Sequence, residues 1–460
     1  MKILLWHGYL LTGSGSNLYT SNIARVWRAA GHDVLLMCQQ RDLADLPYID
    51  AAGAFSADNS TIDFNGTGAE RSSGRCSVAR PNIGDILPVY VYDEYEGFTA
   101  KRFVDLTDEE LTHYTSANVA AMKSAIELHR PDAIITGHEV MGPYIAKQAC
   151  GATGTSYIAK LHGSALEYAV KEQDRYLRFA KEGLSGAKVV TGGSRYMVEE
   201  AARYIPGWRE RAAVVNPGCD VTLFIPSESS KQGPPVVGYV GKFIAAKGVH
   251  NLLLALGLVN ESFRVTIVGY GGFERELKEL WGAIRRADAG ALEAIAREGE
   301  GEPLEDALAF LQGSVADERY FRRAAGVDLE FAGRLDHGPL AKVLPGFSAL
   351  VIPSVVPEAF GMVAAEAAAS GVLPVVPRHS GIGEVGGVLE EALGAPGLLT
   401  YDPATPIEGI AAAIERVFGI DDETRSQMEE TAVATARRLW SWEHVAEQLL
   451  AHALERKPPR

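Results

Sequence analysis

The chain has 460 residues, 47% of them hydrophobic and 22% charged, with a formal net charge of −15. That length exceeds what one core usually holds, so two domains are expected, and the composition is ordinary for a globular enzyme. The acid excess, mostly in the C-terminal half, argues against a phosphate-backbone binder, which needs clustered Lys and Arg. It leaves at most a local basic patch for a peripheral membrane contact. The chain opens on "KILLWHGY", a short apolar strand rather than a signal peptide, since His7 and Gly8 break the run and no small-residue cleavage site follows. "LLTGSGSN" is a loop, and "LYTSNIARVWRAAG" has apolar residues at helical spacing with Gly31 closing the run. "HDVLLMC" is the next strand. Strand, Gly-rich loop, helix and strand make a βαβ unit, hence an α/β protein with a parallel sheet.

From about 40 to 104 the pattern weakens into Gly, Ser, Asn and Asp clusters, and this segment reads as an irregular insertion. Order returns with a helix N-capped by Thr107, with acids in its first turn. The strand "DAIITG", the helix "PYIAKQACGATG" and the strands "SYIAKLHG" and "AKVVTGGS" follow, then the helix "RYMVEEAARYI". A first domain over 1–215 results. After the linker-like "PSESSKQGPP", a second cycle of strands ("VVGYVGKF", "FRVTIVGYG", "LEFAGRL", "ALVIPS") builds a domain over 216–430. Its charged segment, about 274–325, reads as two or three extra helices and as a solvated decoration. The last stretch, 431–460, carries the helix "WSWEHVAEQLLAHAL" and a solvated tail. Cys38, Cys76, Cys150 and Cys219 have neither metal-ligand nor paired spacing and read as buried reduced thiols. No apolar run reaches the length of a membrane helix, about 20 residues. A cytoplasmic location is therefore expected.

Ligands of open parallel sheets bind outside the carboxyl ends of the strands. In "GYVGKFIAAKGVHNLL", Lys242 leaves a strand and Lys247 opens a helix, whose N-terminus already favours anions. The two cations either hold a diphosphate without a divalent metal or are plain surface lysines. In "PEAFGMVAAEAAASG", Glu358 lies at a helix mouth and Glu366 up to about 12 Å further along. That separation is too large for a glycosidase pair. It suits two polyols on either side of a diphosphate, each giving hydroxyl donors to a carboxylate. The alternative is that Glu358 caps the helix and Glu366 is simply exposed.

The "PEAFGMVAAEAAASG" stretch resembles the E-x7-E signature of the retaining glycosyltransferases of family 4. "GSGSNLYTSNIARVWRAAGHDV", "VVNPGCDVTLFIP", "GYVGKFIAAKG" and "RHSGIGEV" resemble further landmarks of that family in its order, over most of the chain except the two insertions. The resemblance implies the GT-B architecture, two Rossmann-like domains facing across a donor and acceptor cleft, with the last helix packing back on the first domain. It implies that Glu358 accepts from the transferred sugar and Glu366 from the ribose. The amides of Phe360, Gly361 and Met362 would contact sugar or phosphate, and Lys242 and Lys247, with Gly241 in the same loop, would face the diphosphate. The first cation is more often Arg in the family, so Lys242 keeps the charge and loses the planar fork.

In the first domain, Gly13 and Gly15 would let the backbone approach the donor, although a plain turn explains a lone G-x-G equally well. His138 follows a strand where many family members carry a histidine facing the sugar. His162 also ends a strand, and either could instead be a structural histidine. Glu139 reads as solvated or as a helix starter. The expected activity is metal-independent, retaining transfer of a hexosyl unit from a nucleotide-diphosphate sugar, most often of UDP or GDP, to an unidentified acceptor. No other cofactor and no nucleic acid partner are expected. The competing expectations are a nucleotide-sugar epimerase of the same fold and a non-catalytic sugar-nucleotide or glycan-binding module.

Overall fold

The structure, a computed structural model, describes residues 1–67, 72–91, 97–227, 233–313 and 316–455. The middle of the linker-like stretch (228–232) and the end of the tail (456–460) lie outside the described residues. The chain forms two compact units, Met1–Pro217 together with the chain from Trp442 onward, and Gly218–Ser441.

In the first unit, β1 (Lys2–Trp6), α1 (Gly15–Ala29) and β2 (Asp33–Met37) form the opening βαβ. Ser14 caps α1 by accepting from the Asn17 amide, and Ile23, Val26 and Trp27 bury its apolar stripe. Five short strands follow: β3 (Ala51–Ala54), β4 (Asn65–Gly66), β5 (Arg75–Arg80), β6 (Ile86–Val89) and β7 (Thr99–Arg102). Then come α2 (Asp108–His129), β8 (Ala133–Gly137), α3 (Gly142–Thr153), β9 (Ile158–Lys160), α4 (Asp174–Gly186), β10 (Val190–Gly192), α5 (Arg195–Tyr204) and β11 (Ala212–Val214). Nine of these strands make one sheet in the order β11-β10-β9-β8-β1-β2-β5-β3-β4. Every pairing is parallel except β3 with β4.

The segment read as irregular thus holds five short strands between its loops. Its strands are too short and too rich in small residues to show a period, and β5 is specified by lying between β2 and β3 rather than by its own pattern. Thr107 and Glu110 form a reciprocal capping box on α2. The C-terminal helix, Trp442–Ala453, packs on α1, and Trp27 Nε1 donates to the Ala446 carbonyl at 3.1 Å.

In the second unit, β12 (Val236–Lys242), α6 (Val249–Ala255) and β13 (Arg264–Tyr270) lead into α7 (Glu274–Arg285), α8 (Ala289–Glu298), α9 (Glu305–Gln312) and α10 (Glu318–Ala325). After these come β14 (Asp328–Gly333), α11 (His337–Val343), β15 (Ala349–Val351), α12 (Met362–Ala369), β16 (Leu373–Pro377), α13 (Ser380–Leu393), β17 (Thr400–Tyr401), α14 (Pro406–Phe418) and α15 (Asp422–Trp440). The sheet order is β14-β13-β12-β15-β16-β17, all parallel. The charged segment is four helices, not two or three. Nor is it mere decoration, because Leu277, Ile284, Leu292, Phe310 and Tyr320 are buried in this unit's core. The Tyr320 hydroxyl donates to the Leu254 carbonyl at 2.9 Å.

Both sheets have a switch point, where the chain leaves one strand outward and later returns on its other side. It falls between β1 and β8 in the first unit and between β12 and β15 in the second. Loops at the carboxyl ends of such strand pairs diverge and leave a crevice.

Candidate active site

At the second unit's switch point, the loop after β12 carries Lys242 and Lys247, and the loop after β15 carries Ser354 and Glu358. Gly248 turns the first loop into α6 at φ 68°, where a Cβ would lie 1.9 Å from the Pro353 carbonyl oxygen. Only glycine permits that approach. The two loops are joined by the Val355 amide donating to the Ala246 carbonyl at 3.0 Å, and Glu300 Oε2, from the helical insertion, accepts from the Ala245 amide at 2.7 Å. So held, Lys247 Nζ meets Glu358 Oε1 at 2.7 Å, with 32% and 16% of the two side chains exposed. The Ser354 hydroxyl donates to the same carboxylate oxygen. The Ser380 hydroxyl accepts from the Glu358 amide at 3.0 Å and bonds His379 Nδ1 at 2.9 Å, while His379 Nε2 bonds the Ser354 carbonyl at 3.1 Å. Glu358 is therefore an oriented carboxylate, with further acceptor capacity on a solvent-reachable group. Sequence reasoning missed Ser354, His379 and Ser380; the signal was there for the last two, in the "RHSGIGEV" stretch.

Phe360 is buried and packs edge-on to Trp440 at 5.8 Å. Gly361 has φ 96°, with Ile382 2.8 Å from where a Cβ would stand, and it serves as N-cap of α12, whose first residue is Met362. The amides of Phe360, Gly361 and Met362 have no acceptor among the described residues, so the three point a set of free donors out of a helix N-terminus. Gly241 packs its backbone against the Tyr239 hydroxyl, which donates to the Lys242 carbonyl at 2.9 Å. Lys242 is exposed at the strand end with no ion-pair partner among the described residues.

Glu366 is buried, not exposed, and burial pushes its pKa up to about 8. Among the described residues its carboxylate has no hydrogen bond, and the His337 ring stands beside it, Nε2 to Oε1 3.8 Å. His337 packs edge-on against Phe224 at 6.1 Å. A carboxylate enclosed with its acceptors unmet is a site waiting for hydroxyl or amide donors.

At the first unit's switch point, His138 follows β8, His162 follows β9 and His7 follows β1. Their ring centroids are 4.8 Å (His138 to His162), 5.6 Å (His7 to His138) and 6.4 Å (His7 to His162) apart. His7 bonds Asn17 Oδ1 at 2.8 Å and the Thr20 hydroxyl at 3.1 Å, so it is a satisfied core residue, and burial lowers its pKa to about 4. His138 differs: it is 1% exposed, has φ 70°, and neither ring nitrogen has a partner among the described residues. Tyr9 and Tyr90 enclose it at 5.3 and 4.9 Å. His162 is partly exposed and meets Tyr19 at 5.3 Å. Burial first, then the neighbouring histidines and, for His162, Lys160, hold both imidazoles well below the usual histidine range and hence neutral.

Glu139, expected in solvent, is fully buried. Its Oε1 accepts from the Gly163 amide at 2.7 Å, Oε2 has no partner among the described residues, and burial raises its pKa. Behind it Lys160, also buried, donates to the Val215 carbonyl at 2.5 Å, and burial lowers its pKa to about 7. A lysine inside an apolar strand run gave no signal for this in the sequence. Gly13 has φ 94° and Gly15 is the first residue of α1, and neither has an atom within 4 Å of a Cβ position. The tip of the loop between β1 and α1, from Thr12 to Gly15, is therefore exposed, while Gly8 and Leu11 behind it are buried.

A glycosyl transferase 4-like domain matches residues 14–218, and a glycosyl transferases group 1 domain matches residues 317–434. The glycogen synthase of Mycobacterium tuberculosis (strain CDC 1551 / Oshkosh) is 29% identical over 245 residues, 52% of this chain and 47% of that protein. The matched region thus spans about half the length of the curated relatives. Among solved structures, sucrose-phosphate synthase from Thermosynechococcus elongatus superposes with a TM-score of 0.59 at 19% identity, covering 97% of both chains. HepE of Anabaena in complex with UDP gives a TM-score of 0.61 at 16% identity, covering 98% of both chains. The fold is that of the GT-B glycosyltransferases, two α/β units with parallel sheets. The chain thus carries a glycosyl transferase 4-like domain in its first unit and a glycosyl transferases group 1 domain in its second.

Proposed function

We propose that this protein transfers a hexosyl unit from a nucleotide-diphosphate sugar to an acceptor hydroxyl, with retention at the anomeric carbon and without a divalent metal. The observation that carries the proposal is the second unit's switch point: the Glu358 carboxylate fixed by Lys247 and Ser354, beside the free amides of α12 and the enclosed, unmet Glu366. Glu366 accepts from the ribose hydroxyls and Glu358 from hydroxyls of the transferred sugar. Lys247 has three donors and uses one on Glu358, so the others are available to the diphosphate together with Lys242. Those charges are aimed where negative charge grows as the nucleotide departs, which lowers the barrier. The acceptor attacks from the face the nucleotide leaves, and the departing phosphate takes its proton.

In the first unit, His138, neutral and with neither nitrogen partnered among the described residues, is available to donate to or accept from a substrate hydroxyl, and His162 likewise. Support for the donor class comes from HepE of Anabaena, whose solved structures hold UDP, UDP with glucose, and UDP-glucose. UDP or GDP sugars are the proposed donors. Calorimetric titration of UDP, GDP and ADP in the presence of chelator tests this. One nucleotide should bind without metal, and Glu366→Ala should weaken it by about 1.5–3 kcal/mol. No binding of any of the three, or binding indifferent to Glu366, removes the donor site. Anomeric configuration of the product, read by NMR, decides retention.

A further inference from the structure

Glu358 lies in the loop after β15, but its main chain is held from the next strand. β16 ends at Pro377, and His379 and Ser380 follow it, Ser380 being the first residue of α13. Both main-chain groups of Glu358 are taken by the start of that helix. Its amide donates to the Ser380 hydroxyl at 3.0 Å, and its carbonyl accepts from the Gly381 amide at 2.8 Å. The side chain is held as well, with Lys247 and the Ser354 hydroxyl both reaching Oε1. Oε2 accepts no hydrogen bond among the described residues.

These contacts close into a circuit. The Ser354 carbonyl meets His379 Nε2 at 3.1 Å, and His379 Nδ1 meets the Ser380 hydroxyl at 2.9 Å. Ser380 takes the Glu358 amide, and the Glu358 carboxylate returns to the hydroxyl of Ser354, which is buried. A carbonyl only accepts, so the neutral imidazole carries its proton on Nε2. Nδ1 of that tautomer also only accepts, so Ser380 donates to it and offers a lone pair to the Glu358 amide. Each hydrogen in the circuit therefore has one place. Ser380 also stands at φ 53°, a left-handed backbone disfavoured for a residue with a Cβ and taken by glycine at most such positions of this chain. Glycine would suit that backbone better. What serine adds is the hydroxyl that joins His379 to Glu358.

We propose that His379 and Ser380 are positioning residues that fix the Glu358 backbone and carboxylate, so that Oε2 is left as the acceptor for a hydroxyl of the transferred sugar, a role that rests on the transfer reading above. The pair then acts on the sugar half of the donor and not on the nucleotide half, because Glu366, Lys242 and the free amides of α12 lie outside the circuit. A carboxylate oxygen accepting from a sugar hydroxyl makes a charge-assisted hydrogen bond, which is lost when the oxygen is misplaced.

UDP, GDP and ADP, each beside its glucose conjugate, are titrated into the full chain and into Ser380→Gly, His379→Ala and His379→Asn. Wild type should bind one conjugate more tightly than its bare nucleotide. Ser380→Gly and His379→Ala should weaken that conjugate about 5-fold or more and leave the bare nucleotide unchanged. Ser380→Gly places glycine on left-handed backbone, so it should fold with a urea midpoint near that of wild type. His379→Asn, whose amide oxygen replaces Nδ1 as the acceptor for Ser380, should keep most of the advantage that His379→Ala loses. Without any ligand, nitrogen NMR of the histidine-labelled protein at about pH 8, above the ordinary histidine range, should show His379 protonated on Nε2 and bare on Nδ1. The opposite tautomer breaks the circuit and overturns the proposal. So do variants that keep the preference for the conjugate, variants that lose nucleotide and conjugate together, and a wild type that gains nothing from the glucose. A wild type that binds none of the three nucleotides removes the donor reading itself, and this role with it, which keeps the two failures apart.

Discussion

Glu366 stores its consequence in a proton. Burial raises its pKa from the ordinary 4.5 to about 8, so the folded protein keeps a proton there that the unfolded chain gives up above about pH 4.5. The contribution of this group to stability is fully present below pH 4.5 and is lost as pH rises toward 8, a loss on the order of 5 kcal/mol in the limit. Glu366→Gln should therefore be more stable than wild type at about pH 8, with the gap closing near pH 5, as read from urea midpoints at the two pH values. Ribose hydroxyls donating to this carboxylate favour its charged form, so nucleotide binding at pH 7 should release a proton. Calorimetry in two buffers of different ionisation heat measures that release, and Glu366→Gln should abolish it.

His138 works in the opposite sense. Held neutral by burial, it should give no inflection in the activity profile between about pH 6 and 8. His138→Ala should reduce turnover about 10–100-fold while leaving nucleotide affinity alone. An equal loss of nucleotide affinity would mean the imidazole only supports the fold.

Among the elements, the turns that aim the site are more demanding than the helices that carry it. Gly361 caps α12 at φ 96° with Ile382 crowding the missing side chain. Gly361→Ala should cost about 1–3 kcal/mol of stability and weaken nucleotide binding as well, because the amides it orients turn away. Thr107→Ala, which removes one half of the capping box on α2, should cost about 1 kcal/mol and leave nucleotide binding unchanged. Thermal unfolding with and without nucleotide separates the two outcomes. The helix starts, the Thr107 cap and most strands are visible in the chain because each satisfies its own local rule. The strands within 40–104 are not, since β3 and β5 hold their place through neighbours on either side. The four helices α7 to α10 look solvated because charge dominates their sequence, yet a narrow apolar stripe on each suffices to bury one face.

For the molecule as a whole, the last helix belongs to the first unit although a full second unit lies between them in sequence. Truncation after Ser441 should expose Trp27 and α1, so hydrogen exchange should accelerate in the first unit and much less in the second. No described helix is long and apolar enough to cross a membrane.

The chain by itself determined the α/β class, the two cycles of strand and helix, and the family landmarks that mark Glu358, Glu366, Lys242, Lys247, His138 and His162. Those follow from periodicity, turn residues and short motifs, which act over a few residues and so are written locally. Only the tertiary structure decided that Lys247 lies on Glu358, that Ser354, His379 and Ser380 brace it, and that Glu139 and Lys160 are inside. Those pairings join loops from strands far apart in sequence, brought together by the switch points of two parallel sheets. Burial, which sets the protonation of Glu366 and of both histidines, is likewise a sum over everything packed around a group, and no window of sequence contains it.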